Sequence, residues 1–245
     1  MRRILLAIVS ILLGFAAPNQ AHAETGYDLW LRYQPLDSAA KARIEAAYLV
    51  VPADRPTLAA AAEELRRGLG GMLGRPLVQH DAIQGDGGIV LGTAASPLIA
   101  ALGLPLAALG DEGYLIRQVM IGGKRVTVIA GHRDVGVLYG VFAFLKRVQL
   151  GQPVIDVTDK PRLTLRVLNH WDDLNRHVER GYAGQSIWDW QKLPGYKDPR
   201  YTDYARANAS IGINGVVLTN VNANAQILRA EWLAKVKALA EVFRP

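Results

Sequence analysis

Cysteine is absent from all 245 residues. An oxidising compartment would therefore add no disulfide, and a lipoprotein anchor is excluded. Clustered positive charge is lacking too. The 28 Lys and Arg against 22 Asp and Glu leave a net charge of +6, but they are scattered and form no run interleaved with aromatics. That pattern disfavours a nucleic-acid partner. Aromatics make up only 7% of the chain, so where they gather is informative, and three of the five tryptophans (Trp171, Trp188, Trp190) fall in one stretch.

The apolar run at residues 4–17 is too short for a membrane span, and no stop-transfer pattern follows it. Arg2 and Arg3 precede it and the small-x-small site Ala21-His22-Ala23 follows, so residues 1–23 read as a secretory signal peptide. The arginine pair lacks the rest of a twin-arginine signal. The mature protein is expected to begin near Glu24, to be secreted or periplasmic, and to have no membrane association after cleavage.

Residues 24–158 read as a first domain. Alternation predicts a strand at 27–33, Ser38 caps a helix through Ala46, and 48–51 form a strand stopped by Pro52. An alanine-rich helix covers 58–73, its end frayed by Gly68, Gly70 and Gly71. A buried strand at 88–92 precedes a short helix capped by Ser96 and ended by Gly103. Two alternating runs, 114–121 and 125–130, flank Gly122-Gly123-Lys124 and predict a hairpin. A helix follows His132-Arg133-Asp134, with Val135, Leu138, Phe142 and Leu145 on one face. Together these predict an α+β, sandwich-like domain with its helices on one face of a small sheet. Gly85-Asp86-Gly87-Gly88 precedes a strand, so it lacks the context of a dinucleotide-binding turn.

The polar connector 156–162 marks the boundary, and 159–245 read as a second unit. Its order is strand (163–168), a long loop through Pro199, helix (201–211), an apolar strand buried on both faces (215–219), and helix (227–243). Leu228, Trp232, Val236, Leu239 and Phe243 are expected to face inward on the last helix. Strand-helix-strand-helix is the opening of an α/β barrel, and an eightfold (β/α) TIM barrel needs about 250 residues. The chain is thus expected to hold the first β/α units of an incomplete barrel and to be the front of a longer enzyme.

The loop carries the chemistry. A buried strand breaking into His170, Trp171, Asp172 and Asp173 has the character of a rim at the carboxyl ends of barrel strands. The flat faces of Trp171, Trp188 and Trp190 suit stacking on sugar rings. Asp172 and Asp173 are adjacent and cannot both point at one sugar from a regular strand. Asp172, Glu179 and Arg180 fit either a loop-internal salt bridge or substrate contact. His170, Asp172, His177 and Glu179 lack zinc-ligand spacing, and Ser186 has no nucleophile-elbow context.

Two adjacent motifs, NHWDDL (169–174) and ERGYAGQSIWDW (179–190), resemble the start of the catalytic barrel in the xylan-debranching α-glucuronidases of bacteria and fungi. The family pattern is N-H-W-D-N-L, a spacer, then E-R-G-Y-A-G-x-S-I-[WF]-x-W. This chain departs from it at Asp173 and in the spacer 175–178. DVGVLYG (134–140) is similar to the non-catalytic domain before the barrel in α-glucuronidases and β-hexosaminidases. The resemblance implies an inverting glycoside hydrolase that removes (4-O-methyl)-D-glucuronic acid from substituted xylo-oligosaccharides. Inversion needs an acid and a base carboxyl about 6.5–9.5 Å apart, which the family carries on later strands; no catalytic residue is assigned in this chain. It also implies that Trp171 and Val221 wall the uronic-acid pocket, that Asn222 adds polar contacts and that Asp172 meets substrate hydroxyls. No cofactor or metal is implied, and the parent is allowed to be a homodimer. A hexosaminidase-type glycosidase and a non-enzymatic carbohydrate-binding fragment remain the alternatives.

Overall fold

The computed structural model describes residues 24–51, 55–220 and 224–245, so the expected signal peptide lies outside the described residues. Six strands form the first sheet: β1 (Tyr48–Val50), β2 (Val78–His80), β3 (Gly88–Thr93), β4 (Tyr114–Ile121), β5 (Lys124–Gly131) and β6 (Val157–Asp159). Their order is β2-β1-β3-β5-β4-β6, and only β4 runs against the others. The β4–β5 hairpin forms as its alternation requires. Gly122 and Gly123 take φ of 56° and 76°, the backbone that a two-residue turn matched to strand twist demands.

Both faces of the sheet are covered, which corrects the one-sided expectation. The helices α1 (Ser38–Ala42), α2 (Pro56–Leu73), α3 (Pro97–Ala100) and α4 (Asp134–Gln149) complete the domain. α2 and α4 pack on Leu49, Ile89, Leu91, Ile116 and Ile129. On the opposite face α3 and the 3-10 turn Leu106–Leu109 cover Val50, Val90, Val126 and Val128. All six residues of β3 are buried as a result. Each fully buried Leu or Ile contributes about 1.5–3 kcal/mol.

Gly68, Gly70 and Gly71 do not fray α2, which continues to Leu73 and stops at Gly74 in the left-handed conformation. A Cβ on Gly68 would lie 2.8 Å from both Cδ atoms of Leu145, so glycine there lets α2 and α4 touch. The N-cap of α1 is Asp37, not Ser38; its Oδ1 accepts from the Ala40 amide at 2.7 Å, and the helix stops at Ala42. Residues 27–33 are not a strand. They form successive turns that have no partner in the sheet, and Leu29 and Tyr33 take positive φ. Their side chains reach the second unit instead: the Tyr27 hydroxyl donates to Asp203 at 2.9 Å and Trp30 Nε1 to Ser210 Oγ at 2.6 Å. The connector 156–162 also contains structure, because β6 pairs with β4 as the edge strand of the first sheet.

The second unit consists of β7 (Val167–Asn169), α5 (Pro199–Ala209), β8 (Gly215–Val217) and α6 (Ala230–Phe243). β7 and β8 are parallel, with Leu168 opposite Val216. Asp198 caps α5 by accepting from the Arg200 amide at 3.0 Å. Both strands are shorter than their apolar runs suggest: Leu163 and Leu165 are exposed, and Val217 is 40% exposed, so β8 is not buried on both faces. Leu228 sits in the 3-10 turn Ala225–Leu228 and points outward, whereas Trp232, Val236, Leu239 and Phe243 do pack inward.

The two units are joined by polar groups. Glu112 of the first domain accepts from Arg166 Nη2 at 2.7 Å and from Asn214 Nδ2 at 2.8 Å, which fixes the amino ends of β7 and β8 together. The Asn214 amide donates to Arg166 O at 2.9 Å and the Arg166 amide donates to the Asn214 side-chain Oδ1 at 2.9 Å, which sets the register from that end.

Candidate functional site

The carboxyl ends of β7 and β8 lie side by side, which is where a parallel sheet presents its ligand-facing groups. The His170 amide donates to Val217 O at 2.9 Å, and Thr219 Oγ1 donates to Asp172 O at 2.5 Å. These bonds bring the residues after each strand to one rim. Trp171 is 47% exposed, while Asp172 beside it is only 2% exposed. Alternation across an extended backbone explains the contrast: one side chain turns outward and the next turns in.

The loop then doubles back on the strand end. Asp172 bridges to Val178 and His177 to Gln185 in antiparallel fashion, and the Glu179 amide donates to Trp171 O at 3.0 Å. Arg176, Glu179 and Arg180 all take positive φ, followed by Gly181 and Gly184. Non-glycine residues held there store strain, and such strain gathers at ligand-binding loops. Glu179 Oε1 accepts from the Tyr182 hydroxyl at 2.8 Å, and Oε2 is buried without a hydrogen-bond partner among the described residues.

Trp188 and Trp190 are not part of the rim. Both are wholly buried with Leu174, Leu193, Tyr201 and Leu239 in the core of the second unit. The sequence could not separate them from Trp171, because a tryptophan that stacks on a sugar and one that fills a core look alike in composition. The Asp172–Glu179–Arg180 salt bridge does not form among the described residues. The ion pair that braces the loop is Arg176 to Asp189 at 3.1 Å, and Asp189 also meets Lys192 at 3.6 Å. Val221 and Asn222 lie outside the described residues.

One group the sequence did not single out, Tyr204, completes the site. His170 Nε2 is 2.7 Å from the Tyr204 hydroxyl of α5, and its Nδ1 is 3.7 Å from Asp172 Oδ1. The His170 ring stands edge-on to Trp188 at 5.3 Å. Burial lowers the His170 pKa below 6.5 and outweighs the opposing pull of Asp172. Burial likewise pushes the Tyr204 hydroxyl up to about 12, with Asp172 adding to the rise. Tyr204 is three residues after Tyr201 on α5, so the helix turns both rings to one face. Among the described residues no group of three or more His, Asp or Glu is placed to hold a metal ion. The site can therefore offer an aromatic face, a buried carboxylate and a neutral imidazole.

A separate cleft lies elsewhere. It encloses about 520 Å³ between the first domain and the second unit, against Leu138, Tyr139, Val216, Leu218, Val236 and Phe243. Its walls are mainly apolar, and neither Trp171 nor Asp172 lines it.

Residues 29–144 match the family description "Glycosyl hydrolase family 67 N-terminus", and residues 147–245 match "Glycosyl hydrolase family 67 middle domain". The chain is 34% identical to α-glucuronidase A of Emericella nidulans across 100% of its own length. It is 33% identical to the α-glucuronidase of Hypocrea jecorina across 96%. It spans 29% of the length of each of these relatives. Among solved structures it is similar to a family GH115 4-O-methyl-α-glucuronidase with specificity for decorated arabinogalactans. That match has a TM-score of 0.51 at 13% identity and covers 80% of this chain and 28% of the other, a likeness of fold alone.

Proposed function

Because the chain belongs to glycosyl hydrolase family 67, whose N-terminal and middle-domain descriptions its residues match, we propose that it forms the front part of a xylan-debranching α-glucuronidase. The parent enzyme removes (4-O-methyl)-D-glucuronic acid from substituted xylo-oligosaccharides by inversion. In this reading β7 and β8 are the first two strands of an eightfold barrel, and their carboxyl ends form one wall of the uronic-acid pocket. Trp171 supplies the apolar face, Asp172 accepts from a sugar hydroxyl, and Val221 and Asn222 extend the wall from the second strand. The acid and base carboxyls belong to the part of the relatives' length that this chain does not span. The enzyme acts outside the cytoplasm, in keeping with the amino-terminal pattern Arg2, Arg3 and Ala21-His22-Ala23.

One observation carries the reading: a half-exposed tryptophan next to a nearly sealed carboxylate at the end of a parallel strand. Burying a polar group without a partner is costly, and Asp172 Oδ2 is buried with no hydrogen-bond partner among the described residues. The experiment is an assay of aldouronic oligosaccharides with the whole protein that carries this chain. Release of the free uronic acid in the β-anomeric form is expected. Release of an N-acetylhexosamine from chitooligosaccharides, with no uronic acid released, would contradict the reading.

A further inference from the structure

We infer that His170 is a positioning residue: held as the Nδ1–H tautomer by Tyr204, it aims its proton at Asp172 and leaves the second carboxylate oxygen free for the ligand. The inference rests on the proposed sugar-binding role of the rim. It adds a residue whose part is to orient another.

The geometry gives the tautomer. His170 is bonded through Nε2 to the Tyr204 hydroxyl at 2.7 Å. A phenol that burial keeps protonated has a proton to give, and the imidazole that burial keeps neutral has one nitrogen to receive it. If Nε2 accepts, the ring proton must sit on Nδ1. That nitrogen faces Asp172 Oδ1 at 3.7 Å. The opposite tautomer would point a nitrogen lone pair at a carboxylate and strand the tyrosine proton, two unfavourable contacts in a poorly solvated place. At 3.7 Å the Nδ1–Asp172 contact is longer than a direct hydrogen bond. Such contacts in ligand-free sites tighten when the ligand arrives, or are bridged by water.

Asp172 has the complementary arrangement. It is 2% exposed, and its Oδ2 has no hydrogen-bond partner among the described residues. Thr219 binds the Asp172 backbone carbonyl, which fixes the main chain but not the carboxylate. His170 is thus the group on the described rim placed to set which oxygen of Asp172 is taken and which is offered. The Trp188 edge packs against the imidazole, with ring centroids 5.3 Å apart.

The test uses side-chain NMR of the 245-residue chain with labelled histidine and aspartate, which reads the proton directly and needs no catalysis. A protonated Nδ1 and a bare Nε2 are expected for His170. Tyr204→Phe should shift the ring toward a mixture of tautomers. His170→Asn keeps a donor near the Nδ1 position and should hold the Asp172 carboxyl signal close to its wild-type place, whereas His170→Gln keeps the reach to Tyr204 and should move it. A protonated Nε2 in the wild-type chain, or an Asp172 signal that responds equally to both substitutions, would overturn the inference. Either result can be obtained whatever the parent enzyme hydrolyses, so failure here is distinct from failure of the α-glucuronidase reading.

Discussion

Glu64 and Arg206 lie 142 residues apart and meet in a two-point ion pair, Nε to Oε2 at 2.6 Å and Nη2 to Oε1 at 3.0 Å. Glu64 stands on α2 of the first domain and is 4% exposed. Arg206 stands on α5 of the second unit. The Tyr33 hydroxyl donates to the same carboxylate at 2.5 Å, and Arg206 also reaches Asp203 at 2.9 Å. The pair therefore fastens the two units together at a place where neither charge is well hydrated. Breaking it from one side leaves a buried charge without its partner.

Arg206→Met should accordingly cost about 3–5 kcal/mol, the usual loss when one member of a buried pair is removed. The double variant Glu64→Gln/Arg206→Met should recover a large part of that loss. Urea unfolding of the three proteins checks this. A loss below about 1 kcal/mol for the single variant would place the pair with exposed ones.

The tryptophans should separate cleanly. Trp188→Ala and Trp190→Ala remove wholly buried rings and should each destabilise by about 3–5 kcal/mol. Trp171→Ala removes a ring that is half in solvent and should change stability by about 0.5 kcal/mol or less. Thermal unfolding of the set reads the contrast, and equal losses at all three would refute the division into core and rim.

Gly68→Ala tests the contact between α2 and α4. Alanine is favoured over glycine in a helix by about 1 kcal/mol. The added methyl would meet both Cδ atoms of Leu145 at 2.8 Å, and overpacking of this kind costs about 1–3 kcal/mol. A net loss of stability is expected in chemical denaturation; a gain would mean that Leu145 moves aside freely.

Much of this structure is legible in the residues. The hairpin at Gly122-Gly123, the helix over 134–149 and the strand-helix-strand order of the second unit follow from local pattern, because each is stabilised by neighbours close in sequence. What the pattern hides is decided at long range. Residues 27–33 alternate like a strand, but the bonds from Tyr27 and Trp30 to α5 override that preference. Gly68 looks like a helix breaker until Leu145 is placed against it. At the site, Trp171 and Asp172 stand out in the sequence as rim residues. Tyr204 does not, since only the fold brings its hydroxyl to His170.

The depressed His170 pKa makes stability depend on pH in a definite direction. The folded ring resists a proton that the unfolded chain accepts near pH 6.5, so the unfolded state binds more protons as pH falls. This contribution is complete above pH 6.5 and is lost progressively below it. His170→Gln should flatten the fall in urea midpoint between pH 7 and pH 5, relative to the wild-type chain. An unchanged slope would mean that another group governs that window.

The claim that the β7 rim binds the uronic acid is tested most directly by the kinetics of the whole protein on an aldouronic trisaccharide. Wild-type and Trp171→Ala proteins should be compared, with matched unfolding curves for each. Loss of an apolar wall worth about 1.5–3 kcal/mol should lower kcat/KM by about 10- to 100-fold, while the folded protein stays as stable as before. An unchanged kcat/KM in a folded Trp171→Ala protein would contradict the placement of the sugar on this rim.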